Sequence, residues 1–152
     1  MKIVEFLQPN AVVDDVAGTS AQAVLAELSR PLAATTKMDP QRLLDTLLER
    51  EKLGSTGIGD GVAIPHGKVP NLPVLMASFG RSKAGVDFKA IDGKPTYLFF
   101  TLFAPENSAG AHLKALARIS RIFKNPAFRE SIMKAKDAAE VYRLIETEDA
   151  KY

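Results

Sequence analysis

The sequence predicts an α/β layered domain with a central mixed β-sheet flanked by helices on both faces. Three observations lead there. Near-continuous apolar runs, residues 97–104 above all, suit strands covered on both sides. Amphipathic segments with recognisable caps precede, interrupt and follow those runs. Glycines and prolines punctuate the joins, and four glycines (Gly54, Gly57, Gly59, Gly61) crowd into the stretch between the helical and the strand-rich parts.

In chain order, residues 3–7 form a short apolar segment, broken by Gln8-Pro9-Asn10 before a short strand at Val12-Val13. Thr19-Ser20 offers an N-cap for a helix with Val24, Leu25 and Leu28 on one face, and Pro31 is expected to weaken it past Arg30. Asp39 caps the next helix, Pro40 takes its first position, and Leu43, Leu44, Leu47 and Leu48 make its apolar stripe. Gly54 is its natural stop.

Strands follow at about 62–64, 74–81 and 96–104, with an edge or turn element at Val86-Asp87-Phe88 and a turn at Asp92-Gly93-Lys94-Pro95. A helix then runs to about Phe123 and stops before Asn125-Pro126. Another covers 128–134, and Asp137 caps a last one carrying Val141, Leu144 and Ile145 on the outside of the sheet. No linker, repeat or low-complexity stretch divides the 152 residues, so residues 1–152 are expected to form one domain.

Composition removes whole classes of chemistry. No Cys means no thiol nucleophile, no disulfide and no thiolate or iron–sulfur centre. It is compatible with a cytoplasmic location, the one expected here. No apolar run approaches the roughly 20 residues that span a bilayer, and Met1-Lys2-Ile3-Val4-Glu5 lacks the layout of a secretory leader. A net charge of +2 does not call for nucleic acid. Only two histidines are present, His66 and His112, which disfavours a histidine-rich metal centre.

His66 follows a short strand and stands between Pro65, which fixes φ, and Gly67, which lets the chain turn away. That holds an imidazole at a strand end, where open α/β sheets place ligands. A surface-loop histidine is the plain alternative. His112 lies early in the helix after the 96–104 strand, in line with Leu116, Ile119 and Phe123, which reads as a core position. If the two preceding strands run parallel, both histidines come to one edge of the sheet.

The loop Gly54-Ser55-Thr56-Gly57-Ile58-Gly59-Asp60-Gly61 runs from helix into strand, the reverse of a dinucleotide fingerprint, and has no P-loop ending. Its N–H groups and hydroxyls, from Ser55, Thr56 and Gly57, could form a small anion nest. A permissive connection is the alternative. Arg50 could bind phosphate bidentately, yet Glu49-Arg50-Glu51-Lys52 also reads as a solvated, charge-mixed helix end. Asp60 with the two histidines would make a two-His-one-carboxylate metal set, a distant possibility. Lys114, Arg118 and Arg121 begin a basic stripe that continues through Lys124, Arg129, Lys134 and Lys136; it reads as a solvated face, with docking of an acidic partner second.

The stretch Thr56-Gly57-Ile58-Gly59-Asp60-Gly61-Val62-Ala63-Ile64-Pro65-His66-Gly67 resembles the phosphorylation-site motif of fructose/mannitol-type IIA proteins of the phosphoenolpyruvate-dependent phosphotransferase system. Leu48-Glu49-Arg50-Glu51, Asp87-Phe88, Ala90-Ile91-Asp92-Gly93-Lys94-Pro95 and His112-Leu113 extend the similarity over nearly the whole chain. Ile64-Pro65-His66-Gly67-Lys68 and the stand-alone length look most like the nitrogen-regulatory branch. The resemblance implies a phosphoryl group accepted on His66, at Nε2, from an HPr-like phosphocarrier. Arg50 and His112 would support the phosphate, with Ser55, Thr56, Gly57 and Gly67 as phosphate-loop candidates. It implies no metal and no cofactor. Downstream, regulatory protein targets are expected, with a IIB domain as the alternative recipient. That makes the chain a relay component rather than a turnover enzyme on a small molecule.

Overall fold

The computed structural model covers residues 1–152. A 3-10 turn, Ile3–Glu5, leads into β1 (Leu7–Val13). Two helices follow, α1 (Ala21–Thr36) and α2 (Pro40–Lys52), then three short strands, β2 (Gly57–Gly59), β3 (Val62–Ala63) and β4 (His66–Val69). The long strands β5 (Met76–Val86) and β6 (Thr96–Pro105) precede α3 (Ala109–Phe123), α4 (Pro126–Lys134) and α5 (Ala138–Asp149).

The sheet is mixed, in the order β1-β5-β6-β3-β2, with β4 also paired to β6. β1 runs parallel to β5, β5 antiparallel to β6, and both β3 and β4 parallel to β6. Side chains alternate between faces along a strand, and β5 shows which helices cover which face. Ser78 and Gly80 meet α1: Ser78 Oγ donates to the Leu28 carbonyl at 2.7 Å, and a Cβ on Gly80 would stand 2.7 Å from Leu28 Cδ2. Phe79 and Arg81 point the other way. Phe79 stacks on Phe123 of α3 at 5.7 Å, and Arg81 Nη1 donates to the carbonyls of Ile132 and Ala135 at the end of α4. One apolar cluster of 37 buried residues fills both interfaces, so the predicted cover of the sheet on two faces is present.

Several local expectations need correcting. Pro9 does not end the first strand; β1 runs through it with a register shift between Leu7 and Val12. This is tolerable because β1 lies at the sheet's edge. Pro31 does not stop α1. Leu28 before it and Leu32 and Ala33 after it are all buried, so packing along one face outweighs the lost N–H bond. The glycine loop also contains a hairpin, β2–β3, turning on Asp60 (φ 57) and Gly61 (φ 76), the left-handed pair that a two-residue turn requires.

The expected caps are observed. Ser20 Oγ accepts from the Ala23 N–H, Asp39 from Gln41 and Asp137 from Glu140; α4 starts two residues earlier than expected, because Asn125 also caps, accepting from Ala127 and Phe128. The basic stripe is mostly the solvated face expected, with Lys114, Arg121, Lys124, Lys134 and Lys136 exposed, while Arg118 and Arg129 turn toward the molecule. Arg118 Nε donates to the buried Asp149 carboxylate at 2.6 Å, and that carboxylate also accepts the Ile3 N–H at 2.6 Å. Arg121 lies over the Tyr152 ring, Arg129 donates to the last carbonyls of α3, and Lys134 pairs with Glu130.

Candidate functional site

β3 and β4 pair with the same edge of β6 as one interrupted strand. Val62 and Ala63 stand opposite Leu98 and Phe99, and His66 to Val69 opposite Leu102 to Pro105. Pro65 makes the break because it has no N–H to give, yet its carbonyl still accepts from Leu102 at 2.9 Å. His66 therefore begins a strand instead of lying on a loop.

Gly67 continues that strand. It turns nothing; it admits α2, for a Cβ there would lie 2.5 Å from Thr46 Cγ2. With Gly67 facing α2, alternation along β4 aims His66 at the opposite face. There it meets His112, near the start of α3. The two rings stand edge to face, 5.5 Å between centroids and 74° apart. Because β3, β4 and β6 are parallel, the two histidines do share one edge of the sheet.

His66 Nδ1 lies 2.7 Å from the carbonyl oxygen of Ile64. A carbonyl only accepts, so Nδ1 carries the hydrogen and Nε2 keeps its lone pair. Burial is the main force on the ring and pushes its pKa below the ordinary 6.5; the bond to Ile64 opposes this, Arg50's charge adds to it and Glu51's opposes it. His112 is likewise held below its ordinary value, first by burial, then by His66 and by Lys68. Both rings are thus neutral in the neutral pH range. His112 Nε2 is buried without a hydrogen-bond partner, a polar atom poised for a group not of this chain.

Arg50 closes the groove of about 420 Å³ in front of His66. Its Nη1 donates to the Gly54 carbonyl at 2.8 Å, and it forms no salt bridge, so most of its donors are unspent. The loop candidates are differently placed. Ser55 Oγ donates to the Phe88 carbonyl at 2.6 Å and accepts the Gly57 N–H at 3.0 Å. The Thr56 N–H reaches Glu51 Oε2 at 3.2 Å, and its hydroxyl donates to Glu51 Oε1. Ser55 and Thr56 wall the groove, but both hydroxyls and the Thr56 N–H are engaged within the chain. Gly67 lies behind the site, in a second groove shared with Arg50 and Lys68.

Glu51 is the residue that sequence reasoning passed over, as one charge in a mixed helix end. The signal available was its spacing of five from a threonine across a helix stop. Asp60 sits at the hairpin turn, and no third His, Asp or Glu joins the two imidazoles in a cluster that could hold a metal. Exposed apolar side chains, Ile58 (44% exposed) and Leu113 (68%), flank the groove and give it a dry rim on an open surface. No helix is long and apolar enough to cross a membrane.

The chain is 37% identical over 145 residues to a nitrogen regulatory protein of Bradyrhizobium diazoefficiens, covering 95% of both. It is 33% identical over 150 residues to the fructose-specific EIIABC component of Bacillus subtilis, of which it covers 24%. The crystal structure of nitrogen regulatory protein IIA-Ntr from Neisseria meningitidis superposes with a TM-score of 0.89 at 36% identity, covering 94% of this chain and 98% of that one. Residues 5–148 match the phosphoenolpyruvate-dependent sugar phosphotransferase system family EIIA 2, and the chain belongs to that family.

Proposed function

We propose that His66 accepts a phosphoryl group on Nε2 from a phosphohistidine of an HPr-like carrier, and that its phosphorylation state governs binding to regulatory protein targets. The observation that carries this reading is the Nδ1 bond to Ile64, which leaves one nucleophilic nitrogen facing an open groove. In the transfer, the bond from phosphorus to the donor's imidazole nitrogen breaks, its electron pair staying with the donor. A bond from phosphorus to His66 Nε2 forms. Such a step asks for alignment and charge stabilisation more than for covalent help.

Arg50 supplies guanidinium donors that match phosphate oxygens, and His112 supplies the unpartnered Nε2 as a further donor. Neither a metal nor a cofactor is called for. Ser55, Thr56, Gly57 and Gly67 serve this site as framework: the first three hold the groove's wall and Gly67 its backing. The rim of Ile58 and Leu113 would seat the carrier around the reacting nitrogen. A cytoplasmic location goes with this reading.

The regulatory role is favoured by similarity to nitrogen regulatory proteins over nearly their whole length. Onward transfer to a IIB domain is the second reading, favoured by similarity to the EIIA portion of an EIIABC component. Exposure to phosphoenolpyruvate, enzyme I and carrier, followed by mass spectrometry, should place one acid-labile phosphate on His66. The His66→Ala variant should take none; labelling as fast as that of the unaltered protein would sink the assignment. Rapid loss of the label to an added IIB domain would overturn the purely regulatory role.

A further inference from the structure

A chain of hydrogen bonds joins the phosphoacceptor ring to a carboxylate that never touches it. His66 Nδ1 donates to the Ile64 carbonyl at 2.7 Å. The Ile64 N–H donates to the Thr56 carbonyl at 3.0 Å. Thr56 in turn gives both its N–H and its hydroxyl to the carboxylate of Glu51, on the last turn of α2. Thr56 is only 4% exposed and Ile64 5%, so the middle of this series is shielded from water. Each link passes through a Cα, since the N–H and C=O of one residue belong to different peptide groups, so the series acts by position: the charge-assisted bonds to Glu51 fix Thr56, and Thr56 fixes Ile64.

We propose that Glu51 is a positioning residue for phosphoryl acceptance: by anchoring Thr56, it fixes the Ile64 carbonyl that holds His66 with hydrogen on Nδ1 and the lone pair on Nε2. An imidazole free of that carbonyl can place its hydrogen on either nitrogen, and the tautomer with hydrogen on Nε2 cannot attack phosphorus from there. Glu51 neighbours Arg50 in sequence, so the final turn of α2 provides one group for the incoming phosphate and one for the ring that receives it. Its negative charge also favours a more basic ring, opposing the pull of Arg50. This assignment rests on His66 being the acceptor, and the two can fail separately.

The test is nitrogen-15 NMR of the His66 ring, joined to the rate of labelling by phosphorylated carrier, in the unaltered protein and in Glu51→Gln, Glu51→Ala and Thr56→Val. The unaltered protein should show His66 as the Nδ1–H tautomer. Glu51→Ala should populate the Nε2–H tautomer and slow labelling about tenfold, at unchanged KM for the carrier, as expected for a misaligned nucleophile. Glu51→Gln, which keeps the shape and one acceptor oxygen, should fall between, and Thr56→Val should move the tautomer in the same direction. A ring that stays Nδ1–H in Glu51→Ala, or labelling within twofold of the unaltered rate, would overturn the positioning role. If Glu51→Ala does not fold, the same readings on Glu51→Gln and Thr56→Val decide it. Failure of the unaltered protein to label at all would instead refute His66 as acceptor, while the tautomer measurement still tested the link to Glu51.

Discussion

The ring of His112 stands edge-on to the ring of His66, 5.5 Å away, although the two come from different elements: β4, which pairs with β6, and α3, the helix that follows β6. A core histidine would turn its polar atoms toward partners within the chain. His112 leaves Nε2 buried and unpartnered, with its ring beside that of His66, which is costly for a group with no further role.

His112→Ala should therefore slow labelling of His66 by roughly 10²-fold, the usual effect of deleting one donor aimed at transferring charge. Single-turnover labelling measures it. An unchanged rate would return His112 to the role of a packing residue.

Both rings are kept below the ordinary histidine pKa by burial, and the sign of the consequence follows from linkage. An unfolded chain takes up protons on these histidines as pH falls through about 6.5, while the folded chain resists. Their contribution to stability is thus complete above that pH, declines below it, and stops declining once the folded rings also protonate. Urea midpoints measured from pH 8 to pH 5 should fall more steeply in the unaltered protein than in a His66→Gln/His112→Gln variant. Labelling should likewise persist below pH 6.5, because the folded His66 is still neutral there. Parallel stability profiles would contradict the neutral burial of the two rings.

Gly67→Ala drives a methyl to 2.5 Å from Thr46 Cγ2 and should destabilise the fold by about 1–3 kcal/mol through overpacking of α2 on β4. Thr46→Ser removes that methyl, so the pair of changes should cost less than their sum. Chemical denaturation of the four proteins gives the coupling; strict additivity would show that the close approach is not what requires glycine.

Arg81 is fully buried and spans the sheet and two loops, with Nε on the Asp14 carbonyl at 2.9 Å, Nη1 on Ile132 and Ala135 at 2.8 and 2.6 Å, and Nη2 paired with the Asp14 carboxylate. Arg81→Met keeps much of the volume but strands those carbonyls, and should destabilise the protein by about 3 kcal/mol. Denaturant titration reads this directly. A loss under 1 kcal/mol would mean that the α4 end finds other donors.

The linear chain was enough for the layered α/β class, the capped helices, the buried character of β6, and His66 and Arg50 as candidates. Caps, periodicity and apolar runs are local, and a two-residue turn or a helix stop is decided by the few residues that form it. Even the hairpin at Asp60-Gly61 could have been read from that dipeptide.

Tertiary structure decided what depends on who arrives from elsewhere. Pro31 is carried within α1 because residues on both sides of it pack on the sheet. Gly67 serves a helix that ends 15 residues earlier, not its own turn. Arg118, which read as part of a solvated face, is held by the buried Asp149 carboxylate, and Arg81 is tied to Asp14 and to the end of α4. The site shows the same division. One line of sequence contains His66, but the hydrogen on its Nδ1, the neighbouring ring of His112 and the tie back to Glu51 through Thr56 arise only once β3, β4 and β6 are in register. Directional hydrogen bonds and packing between distant segments have no signature in spacing along the chain, which is why a lone histidine could be located by sequence while only the fold decides which of its ring nitrogens is bonded and which is left free.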